Sequence, residues 1–171
     1  MTFPTPQDIT AAAARIQGWV RDTPIVRIEG AALGLDHPVI FKLEHTQVTG
    51  SFKVRGAFNT MLGADVPAAG VVAASGGNHG AAVAHAATSL GHASVIFVPK
   101  VIAKEEKLRR MRLFGGKVIL TDGPVEACMA AYADHAAKTG ALSVHPYDTF
   151  PTLAGQGTVA REIEAQTGGI D

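Results

Sequence analysis

Two short stretches hold the side chains with the most chemistry to offer. In "TGSFKVRGA", Thr49 to Ala57, Lys53 stands just past a turn, at the expected start of a helix, and the stretch contains no acidic residue. A helix N-terminus carries partial positive charge, so an ammonium group is disfavoured there. A lysine whose amine can be neutral attacks a carbonyl and forms an imine. Bringing its pKa from about 10.4 to about 7.5 costs ~4 kcal/mol. The helix end supplies only about 0.3–1 kcal/mol, up to about 2 when partly buried. The dipole alone is therefore too weak. Burial adds to it, and a bound aldehyde that keeps the nitrogen as an imine removes the free ammonium at rest. The plainer alternative is a surface lysine near a turn, where most lysines lie. Thr49, Gly50, Ser51 and Phe52 weigh against it, because small and hydroxyl residues tighten the turn and Phe52 offers a flat apolar face to a ring.

The second stretch is "VVAASGGNHGAAVAHAA", which reads as strand, small-residue turn and helix. Gly76 and Gly77 let a ligand approach the backbone, and the free N–H groups opening the next helix form an anion site. Asn78 adds an amide that can donate to a ring oxygen or accept from a protonated group. A plain βα turn that uses glycine for packing explains the stretch equally well, since the spacing is neither of the two common phosphate-loop patterns. The position still matters, because ligands of open α/β sheets sit at the carboxyl ends of strands.

The elements that would position these groups alternate along the chain. Thr5, Pro6 and Asp8 predict a helix start, with Ile9, Ala12, Ala13, Ile16 and Val20 along one side. Residues 39–47 predict a strand with Phe41 and Leu43 opposite Lys42 and Glu44. A helix is expected from Phe52 to about Leu62, a buried strand over Gly70–Ser75, and an alanine-rich helix running to Leu90. "ASVIFVP", "AKEEKLRRMRLFGG", "KVIL", "PVEACMAAYADHAAKTG", "LSVHP" and "PTLAGQGTVAREIEAQTGG" continue the alternation. Strand, helix, strand with short connections implies parallel pairing and right-handed crossovers. The fold class is α/β, with helices on the sheet faces.

Composition narrows the partners. The 171 residues are 47% apolar and 18% charged, with a formal net charge of zero. That balance argues against nucleic acid or an anionic membrane as the main partner. One cysteine, Cys128, excludes an internal disulfide and makes the cytosol the default compartment. No apolar run is long enough to span a bilayer. The seven histidines show no paired metal-ligand spacing, so no metal is expected. The basic helix with Lys104, Lys107, Arg109, Arg110 and Arg112 reads as a solvated face balanced by Glu105 and Glu106. Gln156 is expected at a helix start.

In context these stretches are similar to a known family. "KLEHTQVTGSFKVRGA" resembles the lysine motif of threonine dehydratases and serine racemases, the fold type II enzymes that depend on pyridoxal 5′-phosphate. "SGGNHGAA" resembles their asparagine loop. "VPKVIAKEEKLRRMRLFGGKVIL" and "VHPYDTFPTLAGQGTVAREI" resemble the stretches that follow, in order, from about Thr23 to the last residue. The resemblance implies a tryptophan synthase β-like fold. Residues 1–49 would begin a large domain, 50–151 would form a small α/β domain, and 152–171 would return towards a large domain left incomplete. It implies pyridoxal phosphate joined to Lys53, Phe52 beside the ring, and Asn78 on its phenolic oxygen. Ser75, Gly76, Gly77 and His79 would surround the substrate carboxylate, largely through backbone N–H groups. The implied reaction is loss of the β-hydroxyl from L-threonine or L-serine to give a 2-keto acid and ammonia. A homodimer is implied for the full-length form.

Two departures qualify that expectation. Similar serine racemases carry a serine where this chain has Gly76, and use it as the base on the opposite ring face. A dehydratase is therefore expected here, not an efficient racemase. The family's glycine-rich phosphate loop has no counterpart among these residues, and "EIEAQTGGID" closes a helix as if another strand should follow. The alternative expectation is a fragment or non-catalytic subunit that binds cofactor weakly alone and exposes apolar surface.

Overall fold

The structure is a computed structural model and describes residues 3–169. Helix α1 (Pro6–Ile16) opens on the expected cap. Thr5 Oγ1 accepts the Asp8 N–H at 3.3 Å, and the Asp8 carboxylate accepts the Thr5 N–H at 2.8 Å. Ala12 and Ile16 are buried, but the helix ends at Ile16. Val20 lies beyond Gly18, whose φ of 83° turns the chain, and is held by a bridge to Gln17.

Strands β1 (Ile25–Ile28) and β2 (Val39–Lys42) pair antiparallel, from Ile25 opposite Lys42 to Ile28 opposite Val39. The alternation read from sequence did not include β1. The strand expected over 39–47 stops at Lys42 and gives way to a 3₁₀ turn over Glu44–Thr46. The two faces of β2 are also the reverse of the expectation. Phe41 is 42% exposed, while the Lys42 side chain is buried and donates to Glu162 Oε2 at 2.7 Å and Thr23 O at 2.6 Å. A paired charge can take an inward position that an apolar pattern assigns to a hydrophobe.

From α2 (Lys53–Leu62) onwards the expected alternation holds: β3 (Val71–Ala74), α3 (Asn78–Ser89), β4 (Ser94–Pro99), α4 (Glu105–Leu113), β5 (Lys117–Thr121), α5 (Val125–Thr139), β6 (Leu142–Ser143) and α6 (Phe150–Thr167). The strand order is β5-β4-β3-β6, and every pairing in this sheet is parallel. Val71, Ala73, Ile96 and Val98 share a core with Ala82 and Val83 of α3 and Leu108 and Met111 of α4. Val72 and Phe97 point the other way, onto Cys128 and Tyr132 of α5. Apolar side chains on both faces of β3 and β4 are what a helix-covered parallel sheet requires. Cys128 is a buried packing residue, as its alanine-rich surroundings suggest. Among the described residues no helix is long and apolar enough to cross a membrane.

Helix α6 returns to pack against α1 and α2. A Cβ added at Gly155 would lie 2.7 Å from Arg55 O and 2.8 Å from Gly56 Cα, so α2 and α6 meet backbone to backbone. Only glycine permits that approach. It fixes the helix that carries Lys53.

Candidate functional site

Lys53 is the first residue of α2, with Phe52 at the cap and no side chain capping the helix end. Gly50, with φ of 71°, makes the turn that delivers it. The amine is half-buried and meets no carboxylate among the described residues. It donates to Pro146 O at 2.7 Å and lies 4.9 Å from the centre of the Phe52 ring. Burial lowers its pKa from the ordinary lysine value. This is the depression that the sequence reading assigns to burial, since the helix end is too weak to supply it.

Beside Lys53, Gln156 Nε2 donates to the same Pro146 oxygen at 3.0 Å. Gln156 lies inside α6 and not at a helix start as expected from its flanking glycines. The hydroxyl oxygens of Thr49 and Ser51, on either side of Gly50, are buried and have no partner among the described residues.

The glycine turn sits at the carboxyl end of β3. Its backbone groups are less uniformly free than the sequence alone suggests. Ser75 N–H donates to Phe97 O at 2.9 Å, extending the β3–β4 ladder, and Gly77 N–H donates to Ser75 Oγ at 3.2 Å. The groups left for an anion are those of the first turn of α3, where no side chain caps the helix. Asn78 is exposed at that first turn, and Arg110 Nη2 of α4 donates to its Oδ1 at 2.7 Å. The sequence reading placed Arg110 on a solvated basic face. Its reach to Asn78 is legible only once α3 and α4 are packed side by side.

His79 is buried beneath the turn. Its Nε2 lies 2.9 Å from Val144 O, and a carbonyl only accepts, so Nε2 carries the proton. Nδ1 is then a bare lone pair, buried and without a partner among the described residues. Burial, helped by the charges of Lys53 and His145, pushes the pKa down to about 4 from 6.5. A group depressed on folding gives stability that is full above its unfolded pKa and lost as pH falls. Unfolding free energy should therefore drop by about 3 kcal/mol in total as pH falls from 6.5 through 4. Urea titrations across that range should show the slope in the parent and a flatter one in His79→Gln. Identical slopes would refute the assignment. His85, depressed by burial, adds a loss of the same sign in both proteins.

The residue that sequence reading missed most clearly is Arg55. It is fully buried, donating to Glu44 Oε1 at 2.8 Å and Oε2 at 3.0 Å, to Glu162 Oε2 at 3.0 Å, and to Thr158 Oγ1 at 3.3 Å. Glu162 also holds Lys42, and its carboxyl lies below the usual range because Arg55 and Lys42 outweigh its burial. This cluster ties β2 and its turn to α2 and α6, two residues from Lys53. A cavity of about 400 Å³ between α1 and α6 touches the cluster, but none of the sequence-predicted site residues lines it.

The structure thus gathers a desolvated amine, an oriented amide, a helix N-terminus and a neutral imidazole at the carboxyl end of β3. Phe52 leaves its ring partly exposed beside the amine. An amine without a carboxylate partner and an amide with a free donor end, both among the described residues, suit an aldehyde cofactor with an oxygen-bearing ring. The donor set fits pyridoxal phosphate at the aldehyde and ring oxygen.

Comparisons with known proteins point the same way. The family described as pyridoxal-phosphate dependent enzyme matches residues 16–171. An L-threonine ammonia-lyase of Geobacter sulfurreducens is 37% identical over 157 residues, covering 91% of this chain and 39% of the relative. A beta-hydroxyaspartate dehydratase of Paracoccus denitrificans is 35% identical and covers all of this chain and 55% of the relative. Maize serine racemase superposes with a TM-score of 0.90 at 36% identity, over 96% of this chain and 50% of that one. The chain spans about half the length of the relatives it matches, or less.

Proposed function

The chain belongs to the pyridoxal-phosphate dependent enzymes, and from that footing we propose that it serves an L-threonine or L-serine dehydratase, releasing a 2-keto acid and ammonia. The observation that carries the reading is Lys53: a half-buried amine with depressed pKa, no carboxylate partner among the described residues, and a ring beside it. When bound, the cofactor supplies an electron sink for the bond being broken at the substrate α-carbon.

The chain's own residues supply the rest. Lys53 would hold the cofactor through its amine, and Lys53 Nζ would take the substrate α-proton. Phe52 lies beside the ring, and Asn78 donates to the ring oxygen. The open N–H groups of the first turn of α3, at Asn78 and His79, bind the substrate carboxylate, with Gly76, Gly77 and the Ser75 hydroxyl completing the loop. The β-hydroxyl would leave as water with the proton taken by Lys53 Nζ, and addition of water would then release the keto acid and ammonia. The names of the Geobacter and Paracoccus relatives support hydroxy amino acids as the substrate class. The cytosol and a homodimeric assembly belong to the same proposal.

Gly76 decides between elimination and racemisation. It offers no side chain to move a proton on the far side of the α-carbon. A Cβ there would meet Ile102 Cδ1 at 3.0 Å, so the position is filled by a neighbour. The test combines borohydride reduction with product analysis. Pyridoxal phosphate is added, reduced, and the adduct mapped by mass spectrometry. L-threonine, L-serine and β-hydroxyaspartate are then assayed for keto acid, and L-serine also for D-serine. A reduced adduct on Lys53, keto acid release and slow D-serine formation are expected. An adduct elsewhere or none refutes the site, and D-serine formed as fast as keto acid refutes the dehydratase assignment.

A further inference from the structure

Apart from Lys53 itself, Arg110 is the cation that, among the described residues, touches a candidate cofactor-binding side chain. It extends from α4, which Leu108 and Met111 pin against the core it shares with α3. The residue is half-buried, and a Cβ built at Gly50 would lie 3.9 Å from Nη1. Arg110 therefore sits between the turn that delivers Lys53 and the first turn of α3. Two residues away on the same helix, Arg112 pairs with Glu105 at 2.9 Å. Arg110 meets no carboxylate among the described residues, and its hydrogen bond goes to the Asn78 amide oxygen.

The two ends of an asparagine amide are nearly the same size and shape, and only the hydrogen-bond partners decide which way it faces. Arginine has donors and no acceptor. Whatever faces Arg110 must be Oδ1. The NH₂ end of Asn78 is thereby turned away from α4, and among the described residues it has no acceptor. A charged donor on Oδ1 also polarises the amide, which strengthens the N–H groups at its other end. An amide fixed and polarised in this way is suited to an anionic oxygen.

We infer that Arg110 is a positioning residue: by donating to Asn78 Oδ1 it commits the Asn78 NH₂ group to the ring oxygen of the cofactor. The inference rests on the proposed cofactor site and adds a residue to it. It makes three demands. Arg110→Ala should release the amide. Arg110→Lys should keep a donor-only cation and retain part of the effect. Arg110→Glu should draw the NH₂ end towards itself and act at least as strongly as alanine.

Two measurements test this. In the ¹⁵N-labelled chain without cofactor, the Asn78 side-chain amide resonances should move and broaden in Arg110→Ala, with resonances outside α3 and α4 unchanged. Superimposable Asn78 side-chain signals in parent and variant would overturn the inference. In pyridoxal phosphate titrations followed by absorbance and fluorescence, Arg110→Ala should weaken binding roughly tenfold. Asn78→Ala should weaken it by at least as much, and the double variant by no more than Asn78→Ala alone. Additive losses, or a loss in Asn78→Ala with none in Arg110→Ala, would sink the role of Arg110 and leave the cofactor site standing. No loss in either variant, with no borohydride adduct on Lys53, would remove the proposed function and this inference with it.

Discussion

Lys53→Ala is expected to cut keto acid release by the cofactor-loaded protein on the order of 10³-fold while leaving the folded chain intact. The first half follows from the role of the amine as covalent holder and as α-proton acceptor, which no neighbouring side chain can assume. Among the described residues His79 keeps a free Nδ1 lone pair, but burial lowers its pKa to about 4, which makes it a weak base, and an imidazole cannot hold an aldehyde as an imine. The second half follows from the local hydrogen bonds. Removing the lysine takes one donor from Pro146 O, but Gln156 Nε2 still donates to that oxygen at 3.0 Å, so no buried acceptor is orphaned. The lost ammonium was itself partly desolvated and, among the described residues, without a carboxylate partner. Stability should shift by no more than about 0.5 kcal/mol. Activity assays paired with thermal melts check both halves. Turnover within tenfold of the parent, or a melt that collapses, would contradict the account.

Arg55→Ala should do the reverse and cost stability on a scale few single substitutions reach. Arg55 is fully buried between two carboxylates, and among the described residues only Lys42 shares the burden of neutralising Glu162. Removing one member of a buried ion cluster leaves charge without compensation, at about 3–5 kcal/mol. A methionine of similar length fills the volume but leaves the same charges unpaired, so it should recover only packing. The measurement is urea unfolding at neutral pH, with Arg55→Lys as a third variant that keeps the charge without the planar fork. A loss below about 1 kcal/mol in Arg55→Ala would show that the cluster contributes little. Because the cluster clamps α2 two residues from Lys53, the variant should also bind cofactor less tightly.

The alternation from α2 onwards could be read from the sequence because its signals are local: glycine at helix ends, short apolar runs for strands covered on both faces, and small-residue turns. Lys53 and Asn78 could be read for the same reason, each standing at a turn whose neighbours limit what it can do. What escaped reading depends on partners distant in the chain. Lys42 points inward because Glu162 is there, and no alternation over residues 39–47 encodes a carboxylate 120 residues away. Arg55 looked like a helix residue among others because Glu44 and Glu162 flank it only in space. Arg110 belonged to a run of basic residues, and its one distinguishing contact is with the helix 32 residues earlier. Gln156 was noticed for its glycines and misplaced along α6, since nothing in "AGQGT" says where the helix begins.

The glycine contact between α2 and α6 has a bearing on how the protein matures. Some hundred residues separate the two helices, so their junction closes a long loop, and such closures come late and slowly. During synthesis the parallel sheet can begin to assemble while Arg55 still waits for Glu162 and Pro146 has not yet reached the lysine. The amine would then gain its desolvated setting only after the first strands of the sheet have paired, so it would stay an ordinary, charged lysine while that part of the scaffold forms.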